Sequence, residues 1–274
     1  MTLDSSIFDI PIVNNVILYD ITDSTNTRAK DFGNKNCVDG TLIISETQTM
    51  GKGRIGRSFS SPKKNGIYMS LLLRPNMDIG SISQITLITA LAVCDTLCEL
   101  THESFKIKWP NDILINNKKV VGILTEANWD TSLNYVVIGI GINVNNDSFP
   151  SDISDTATSL YLECHKEFKR EDIIYNVLTK LNNYYNEFFE HDNLLYIKDK
   201  YNSQLINYNC EVFIIPHQLA TDTSNPYLVD TSELKPHLCL GINDNGDLIC
   251  KDKENNLHII NSGEVSVRGL HGYI

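Results

Sequence analysis

The chain has 274 residues, of which 42% are hydrophobic, and this is enough to bury one large core or a large and a small one. Its formal net charge of -11 argues against long-range attraction to nucleic acid or to an anionic membrane. The start of the chain is acidic where a secretory or transit peptide is basic, and no apolar run approaches the roughly 18 to 20 residues that span a bilayer. We therefore expect a cytoplasmic protein without a membrane segment.

Seven cysteines are scattered along the chain and include no C-x-x-C pair. An odd number at irregular spacing is typical of free thiols in a reducing compartment rather than of a disulfide framework. Cys94, Cys98 and His102 follow an i, i+4, i+8 pattern that would place them on one helical stripe. Because free cysteine commonly packs as a small hydrophobic residue, we interpret this stripe as core rather than as a metal site.

The predicted elements begin with a short helix. Asp23-Ser-Thr-Asn26 supplies N-cap chemistry, and the helix continues through Phe32. Residues 40–45 and 66–74 are apolar runs that predict two buried strands, with a glycine-rich basic segment between them. Residues 81–100 are apolar on several sides without a breaker, which predicts a mostly buried helix.

The next segment predicts a β-hairpin. Two short runs, 105–109 and 113–115, precede Asn116-Asn117, and the apolar run 120–124 follows. Asparagine tolerates the positive φ that a two-residue hairpin turn requires. Trp109 precedes a proline and is biased to extended geometry, although packing in the core is the simpler role for its ring.

A two-residue turn fixes the expected register of this hairpin. It pairs Leu114 with Lys119 and Asp112 with Val121, so Asp112 and Lys119 lie on one face about 7 to 8 Å apart between their Cα atoms. A ligand group could bridge these two charges. The alternative is a plain cross-strand ion pair.

The second half of the chain completes the predicted fold. Residues 135–143 form another buried strand, in which Gly139 and Gly141 leave gaps for a flat ring, or mark a bulge or tight packing. Residues 170–203 return to helical spacing, and short strands follow from about residue 207, with a long polar loop at 216–237. We predict an α+β protein: a mixed β-sheet flanked by helices over residues 1–206 and a small C-terminal β-barrel or sandwich over residues 207–274.

The basic loop, Gly51–Arg57, is the first candidate for chemistry. Its glycines let the backbone approach a ligand and leave N–H groups free to point at oxygens, while Lys52, Arg54 and Arg57 add charge-assisted donors. Residues 51–75 contain no Asp or Glu. The spacing is neither that of a Walker A loop nor G-x-G-x-x-G. Taken alone, the segment is either an anion site or a basic surface turn.

Taken together in order, these segments resemble the biotin protein ligase family. The resemblance covers nearly the whole chain, including Gly263–Arg268 near its end. It implies a catalytic domain of the class II synthetase-like biotin/lipoate ligase type and a C-terminal SH3-like barrel. The segments that carry it are Asp23–Asn26, Glu46–Arg57, Phe59–Pro62, Lys108–Asp112, Lys119–Glu126 and Gly139–Asn143.

The resemblance implies a two-step reaction. Biotin and ATP, with Mg²⁺, give biotinyl-5'-AMP, and a lysine in the biotin carrier domain of a carboxylase then accepts the biotinyl group. Lys119 would be the principal catalytic residue, near both the biotin carboxylate and the α-phosphate. Arg54 would hold the mixed anhydride against water, and Asp112 would help to deprotonate the incoming lysine or would engage Mg²⁺.

The same resemblance implies two sets of binding residues, and it leaves the metal ligands undetermined. The biotin set is Ser24, Thr25, Asn26, Gln48, Gly51, Lys52, Gly53, Arg54, Lys119 and Gly122. The ATP set is Arg54, Arg57, Asn111, Asn143 and Arg268.

Two departures and two rival hypotheses accompany this interpretation. The family usually has arginine where this chain has Lys52, which lacks the bidentate fork of arginine, and the loop 216–237 is longer than expected. A lipoate ligase shares the chemistry but favours a consecutive glycine run, and a catalytically silent biotin-binding module is the other rival.

The ligase motifs begin at Asp23, without room for the N-terminal DNA-binding domain of bifunctional members, so we expect no DNA binding. An exposed edge strand could pair two chains as a homodimer.

Overall fold

The structure, a computed structural model, describes residues 5–62, 65–216, 234–261 and 265–269. Its centre is a seven-stranded mixed sheet in the order β1-β2-β3-β7-β6-β5-β4. The pair β1 and β2 is parallel, and the other neighbours are antiparallel. The strands are β1 (Asn15–Tyr19), β2 (Thr41–Ser45), β3 (Gly66–Leu73), β4 (Lys106–Lys108), β5 (Asp112–Ile115), β6 (Lys118–Trp129) and β7 (Leu133–Asn143).

Helices cover both faces of this sheet, as the sequence predicts. On one face α1 packs against a small cluster that includes Ile43, Leu72 and Val137. On the other face α2 packs against β6 and α4 in the main hydrophobic core. The helices are α1 (Thr25–Asn34), α2 (Ile82–Thr101), α3 (Leu160–Cys164), α4 (Arg170–His191) and α5 (Leu195–Gln204). The predicted helical stretch 170–203 is therefore two helices, which Asp192 separates with a left-handed φ of 54°.

The helical run Ile79–Thr101, which contains α2, corrects the expectation that no apolar run is long enough to span a bilayer. By length and composition alone it could cross a membrane. However, 72% of its most apolar window is buried inside the fold, as in the core helix of a globular protein. Burial therefore assigns α2 to the core, and it is the buried helix predicted for residues 81–100.

The small C-terminal β-domain is confirmed as a five-stranded antiparallel sheet in the order β11-β10-β9-β8-β12. Most of the predicted loop 216–237 lies outside the described residues. The boundary at residues 206 and 207 stays a prediction. The strands are β8 (Glu211–Pro216), β9 (His237–Ile242), β10 (Leu248–Lys251), β11 (Leu257–Ile260) and β12 (Val265–Gly269).

The hairpin β5–β6 has the predicted turn but not the predicted register. Asn116 and Asn117 have φ values of 47° and 66°, as a two-residue turn requires. Beyond it a β-bulge shifts the pairing, so Asp112 lies opposite Gly122 and not opposite Val121. The reason is that Val120 and Val121 both pack in the main hydrophobic core on one face of the sheet, whereas strict alternation would send consecutive residues to opposite faces.

A tryptophan connects the two sheets. Trp109 is only 6% exposed, and its Nε1 donates a hydrogen bond of 3.1 Å to the carbonyl oxygen of Gly246 in the C-terminal β-domain. The core-packing interpretation of Trp109 is therefore correct, and the peptide bond that follows it is cis. A second link joins α5 to the C-terminal sheet: the backbone N–H of Ile242 in β9 donates a hydrogen bond of 2.9 Å to Asn202 Oδ1.

We predict that Trp109→Phe lowers the free energy of unfolding by about 1 to 3 kcal/mol, because it leaves the buried Gly246 carbonyl without its donor. The matched control is Trp129→Phe, since Trp129 is 52% exposed and has no comparable burial. Urea titrations of both variants measure the difference. Equal midpoints would show that the Trp109 hydrogen bond contributes nothing.

Candidate active site

One cavity gathers most of the predicted site residues. It lies between the start of α1, the basic loop and strands β3, β6 and β7, and it is partly open to solvent. Ten residues of the predicted biotin and ATP sets line it: Ser24, Thr25, Asn26, Gln48, Lys52, Gly53, Arg54, Asn111, Lys119 and Gly122.

The cavity floor consists of the uncharged polar residues Ser24, Thr25, Asn26 and Gln48. Ser24 is the N-cap residue of α1, but its side chain makes no capping bond. Instead Gln48 Oε1 accepts 2.8 Å from the backbone N–H of Thr25, and Gln48 Nε2 donates to Ser61 Oγ at 2.9 Å. A side chain from another segment therefore satisfies the helix terminus and fixes the floor.

Behind the floor stands an ion pair that the sequence does not predict. Asn26 Nδ2 donates 2.9 Å to Glu126 Oε2, and Glu126 Oε1 lies 2.5 Å from Lys30 Nζ. Burial alone would raise the pKa of Glu126, but the hydrogen bonds from Lys30 and Asn26 outweigh it and hold that pKa below its ordinary value. Glu126 is therefore an ionised acceptor at neutral pH.

The basic loop is more ordered internally than its glycines suggest. The Gly53 N–H donates 2.7 Å to the Arg57 carbonyl, and the Phe59 N–H donates 2.9 Å to the Gly51 carbonyl. The expectation that the N–H groups of the loop are all free for a ligand is thus wrong at Gly53. Gly51 does not line the cavity; a Cβ there would overlap the Phe59 carbonyl oxygen, so tight packing requires this glycine.

Arg54 turns from the loop toward the hairpin. Its Nη1 donates 3.1 Å to Asn111 Oδ1, and Asn111 Nδ2 donates 2.9 Å to the Ile123 carbonyl. Burial lowers the pKa of Arg54, and the negative charge of Asp112 partly offsets this shift. Because a guanidinium has a very high pKa, Arg54 stays positively charged. Arg54 therefore places a cation beside the cavity, bound to a predicted nucleotide residue.

Lys119 and Asp112 contact each other directly. Lys119 Nζ lies 2.7 Å from Asp112 Oδ1, so the two charges form an ion pair rather than being held apart for a ligand to bridge. The Lys119 backbone is fixed by a hydrogen bond to the Thr156 carbonyl at 2.7 Å and by one from the Thr158 N–H at 2.9 Å. Gly122 leaves room for the ammonium group, since a Cβ there would lie 3.1 Å from Nζ.

The two glycines of β7 are both covered by other parts of this chain. A Cβ at Gly139 would overlap the Asn26 amide oxygen, and a Cβ at Gly141 would lie 2.7 Å from the Phe59 ring. Tight packing is therefore the correct interpretation at Gly139. At Gly141 a flat ring does lie against the backbone, and it is the ring of Phe59.

Among the described side chains, two members of the predicted ATP set are not among the cavity-lining residues. Arg57 is exposed on the loop. Asn143 is buried, and its Nδ2 donates 3.0 Å to the Thr158 carbonyl, next to the segment that holds Lys119. The side chain of Arg268 lies outside the described residues.

Sequence reasoning also missed several residues that line or support the cavity. Phe59, Tyr68 and Leu124 line it, beside Gly139 and Gly141, for which a gap at a flat ring is one of the predicted roles. Ser70, which bonds to the floor, is the only polar side chain between Met69 and Leu73, and that signal could have identified it.

A buried ion pair anchors the strand end that leads to Gln48. Arg170 Nη1 lies 2.9 Å from Glu46 Oε2, its Nη2 lies 3.2 Å from Glu46 Oε1, and Nη1 also donates to the Gly66 carbonyl. Burial would raise the pKa of Glu46, but the hydrogen bond from Arg170 contributes to holding it below its ordinary value. No local pattern points to Arg170, which is 124 residues away along the chain.

We predict that Gly139→Ala lowers the free energy of unfolding by about 1 to 3 kcal/mol, because the new methyl group displaces the Asn26 amide from a packed position. Gly80→Ala is the matched control, since a Cβ at Gly80 meets nothing within 4 Å. Thermal and urea unfolding compare the two. A Gly139 variant as stable as the Gly80 variant would contradict the packing argument.

Comparisons with known proteins agree with this geometry. The model for the Biotin/lipoate A/B protein ligase family matches residues 18–143. The Bifunctional ligase/repressor BirA of Bacillus subtilis (strain 168) is 39% identical over 180 residues, which are 65% of this chain and 55% of that protein. The Biotin--[acetyl-CoA-carboxylase] ligase of Mycobacterium tuberculosis is 33% identical over 127 residues, 45% of this chain and 46% of that protein. The chain spans about half the length of the curated relatives it matches.

Solved structures cover more of the fold. The biotin protein ligase from Aquifex aeolicus in complex with biotin and ATP is 29% identical, with a TM-score of 0.77, over 93% of this chain and 99% of that chain. A point mutant of the Aquifex aeolicus ligase in complex with biotin is 30% identical with the same TM-score and coverage. Motifs, cavity and whole-fold similarity thus agree, and the chain belongs to the biotin protein ligase family.

Proposed function

We propose that the chain is an ATP-dependent biotin protein ligase. One observation carries the proposal: a single cavity joins an uncharged polar floor to a cationic mouth formed by Lys52, Arg54 and Lys119. Biotin divides its polarity in the same way, with an uncharged cyclic urea at one end and a carboxylate at the other. The Aquifex aeolicus ligase, which is similar over nearly this whole fold, was solved with biotin and ATP.

In the first step the biotin carboxylate attacks the α-phosphate of ATP, and pyrophosphate leaves. The two reacting groups are both anions, so a fixed cation near them relieves their repulsion and stabilises the charge that develops in the transition state. Lys119 meets this need, because its ammonium lines the cavity and Asp112 holds it in place at 2.7 Å. We assign Lys119 as the principal catalytic residue.

In the second step the amine of the carrier lysine attacks the carbonyl of biotinyl-5'-AMP, an amide forms and AMP leaves. Arg54, partly buried and bonded to Asn111, is proposed to hold the mixed anhydride until the carrier arrives. Asp112 is proposed to take the proton from the incoming amine. Lys119 thus serves the first half of the reaction, and Arg54 and Asp112 serve the second.

The nucleotide is proposed to lie across Arg54 and Asn111, with contributions from Arg57, Asn143 and Arg268. Magnesium is commonly bound through one or two carboxylates together with substrate phosphates. This fits the described residues, where no group of three or more His, Cys, Asp or Glu could hold a metal alone and Asp112 stands beside the cavity. When bound, Mg²⁺ would neutralise phosphate charge.

The acceptor is proposed to be the biotin carrier domain of a carboxylase. The name of the Mycobacterium tuberculosis relative gives acetyl-CoA carboxylase as the target of that protein. We propose the cytoplasm as the compartment, because all seven cysteines are free, which suits a reducing environment. The homodimer and the absence of DNA binding stay predictions.

A pyrophosphate-release assay tests the proposal against its two rivals. Purified protein is given ATP, Mg²⁺ and either biotin or lipoate, and an apo carrier domain is added afterwards. We expect release with biotin and then a gain of mass on the carrier. Release with lipoate alone would instead support a lipoate ligase, and binding of biotin without release would support a silent binding module.

We predict that Lys119→Gln keeps the fold but lowers the rate of adenylation at least about 100-fold, as expected for the loss of one preorganised charge. Lys118→Gln is the matched control, because Lys118 is the adjacent lysine, is not among the residues that line the cavity, and donates a 3.3 Å hydrogen bond to the Ser154 carbonyl. Pyrophosphate exchange measures both rates. Equal rates in the two variants would refute the assignment of Lys119.

A further inference from the structure

The Lys30–Glu126 ion pair behind the floor fixes the orientation of one amide. Asn26 Nδ2 faces two pure acceptors, Glu126 Oε2 at 2.9 Å and the Leu124 carbonyl at 3.2 Å. Only the NH₂ group of an asparagine can donate to them. The amide oxygen of Asn26 must therefore point the other way, toward Ser70.

The fixed amide in turn sets the direction of two hydroxyl groups. Ser70 Oγ lies 2.6 Å from Asn26 Oδ1 and 2.7 Å from Thr25 Oγ1. A serine hydroxyl has one proton, and the amide oxygen can only accept, so the Ser70 proton goes to Asn26. The hydrogen bond between the two hydroxyls must then use the proton of Thr25.

Thr25 is therefore left as an acceptor toward the cavity. Its hydroxyl also lies 3.1 Å from Gln48 Oε1, but its single proton is committed to the shorter contact with Ser70. Gln48 Oε1 is already satisfied by the Thr25 backbone N–H at 2.8 Å. The lone pairs of Thr25 Oγ1 are thus available to a ligand that brings an N–H donor.

We propose that Glu126, held by Lys30, is a positioning residue that sets the hydrogen-bond polarity of the cavity floor. Through Asn26 and Ser70 it makes Thr25 an acceptor, so the floor recognises a ligand with N–H groups, such as a cyclic urea. A dithiolane ring has no such donor. This inference rests on the proposed function, because it concerns the same site and deepens its choice of substrate.

Glu126→Gln tests the polarity directly. The new amide has a single acceptor oxygen. Because the ammonium group of Lys30 can only donate, this oxygen turns to accept its hydrogen bond. The NH₂ of Gln then faces the NH₂ of Asn26. Turning the Asn26 amide over removes this conflict but sets its oxygen against the Leu124 carbonyl, so neither orientation is fully satisfied and the two hydroxyls lose their fixed direction. We expect the KM for biotin in ATP–pyrophosphate exchange to rise about tenfold or more, with kcat within about twofold of the unsubstituted protein.

The double variant Glu126→Gln with Lys30→Met should recover affinity. Without the ammonium group, the Gln amide is free to turn its oxygen to Asn26 and its NH₂ to solvent, since both side chains of the ion pair are partly exposed. The KM for biotin should then fall to within about threefold of that of Lys30→Met alone. A residue that serves only local packing would give the opposite result, because a second substitution would add damage.

The control is Lys30→Met, which leaves the Glu126 carboxylate as an acceptor and should keep the KM near that of the unsubstituted protein. Calorimetric titration with biotin in the absence of ATP should show the same order of affinities. A normal KM in Glu126→Gln, or a double variant as weak as Glu126→Gln, would overturn the inference. No biotin-dependent exchange in the unsubstituted protein would instead overturn the proposed function.

Discussion

The close approach of α1 to strand β7 is the constraint on which the site depends. It is possible because Gly139 has no side chain, so the Asn26 amide packs directly on the strand backbone. This contact brings the first turn of α1 onto the sheet and places Ser24 and Thr25 over the cavity. The helix terminus then needs a partner for its N–H, and Gln48 supplies it from another segment.

Charges enter this region mainly as pairs. Lys119 pairs with Asp112 beside the cavity, Lys30 with Glu126 behind its floor, and Arg170 with Glu46 at the strand end that leads to Gln48. A buried or half-buried charge without a partner would be costly, whereas a paired one is fixed in place. The same pairing therefore preserves the fold and orients the groups that the proposed chemistry uses.

The hairpin shows how one extra residue shapes a site. Val120 and Val121 both enter the main core on the same face of the sheet, so β6 bulges there, and the bulge places Lys119 and Gly122 on the cavity side. A strand with strict alternation would put residues three apart on opposite faces. The gap at Gly122 then accommodates the Lys119 ammonium group. Hydrophobic burial on one face thus positions the proposed catalytic group on the other.

The sequence by itself determined the local elements and the family. Periodicity identified the strands and helices, Asn116-Asn117 identified the turn, and the motifs located most of the cavity lining, because each depends on residues close together along the chain. Only the tertiary structure decided the bulge beside Lys119, the pairing of Arg170 with Glu46, and the series of hydrogen bonds that links Glu126 to Thr25. These depend on contacts between segments far apart in sequence, and which of several polar or charged residues meet is decided when the core packs.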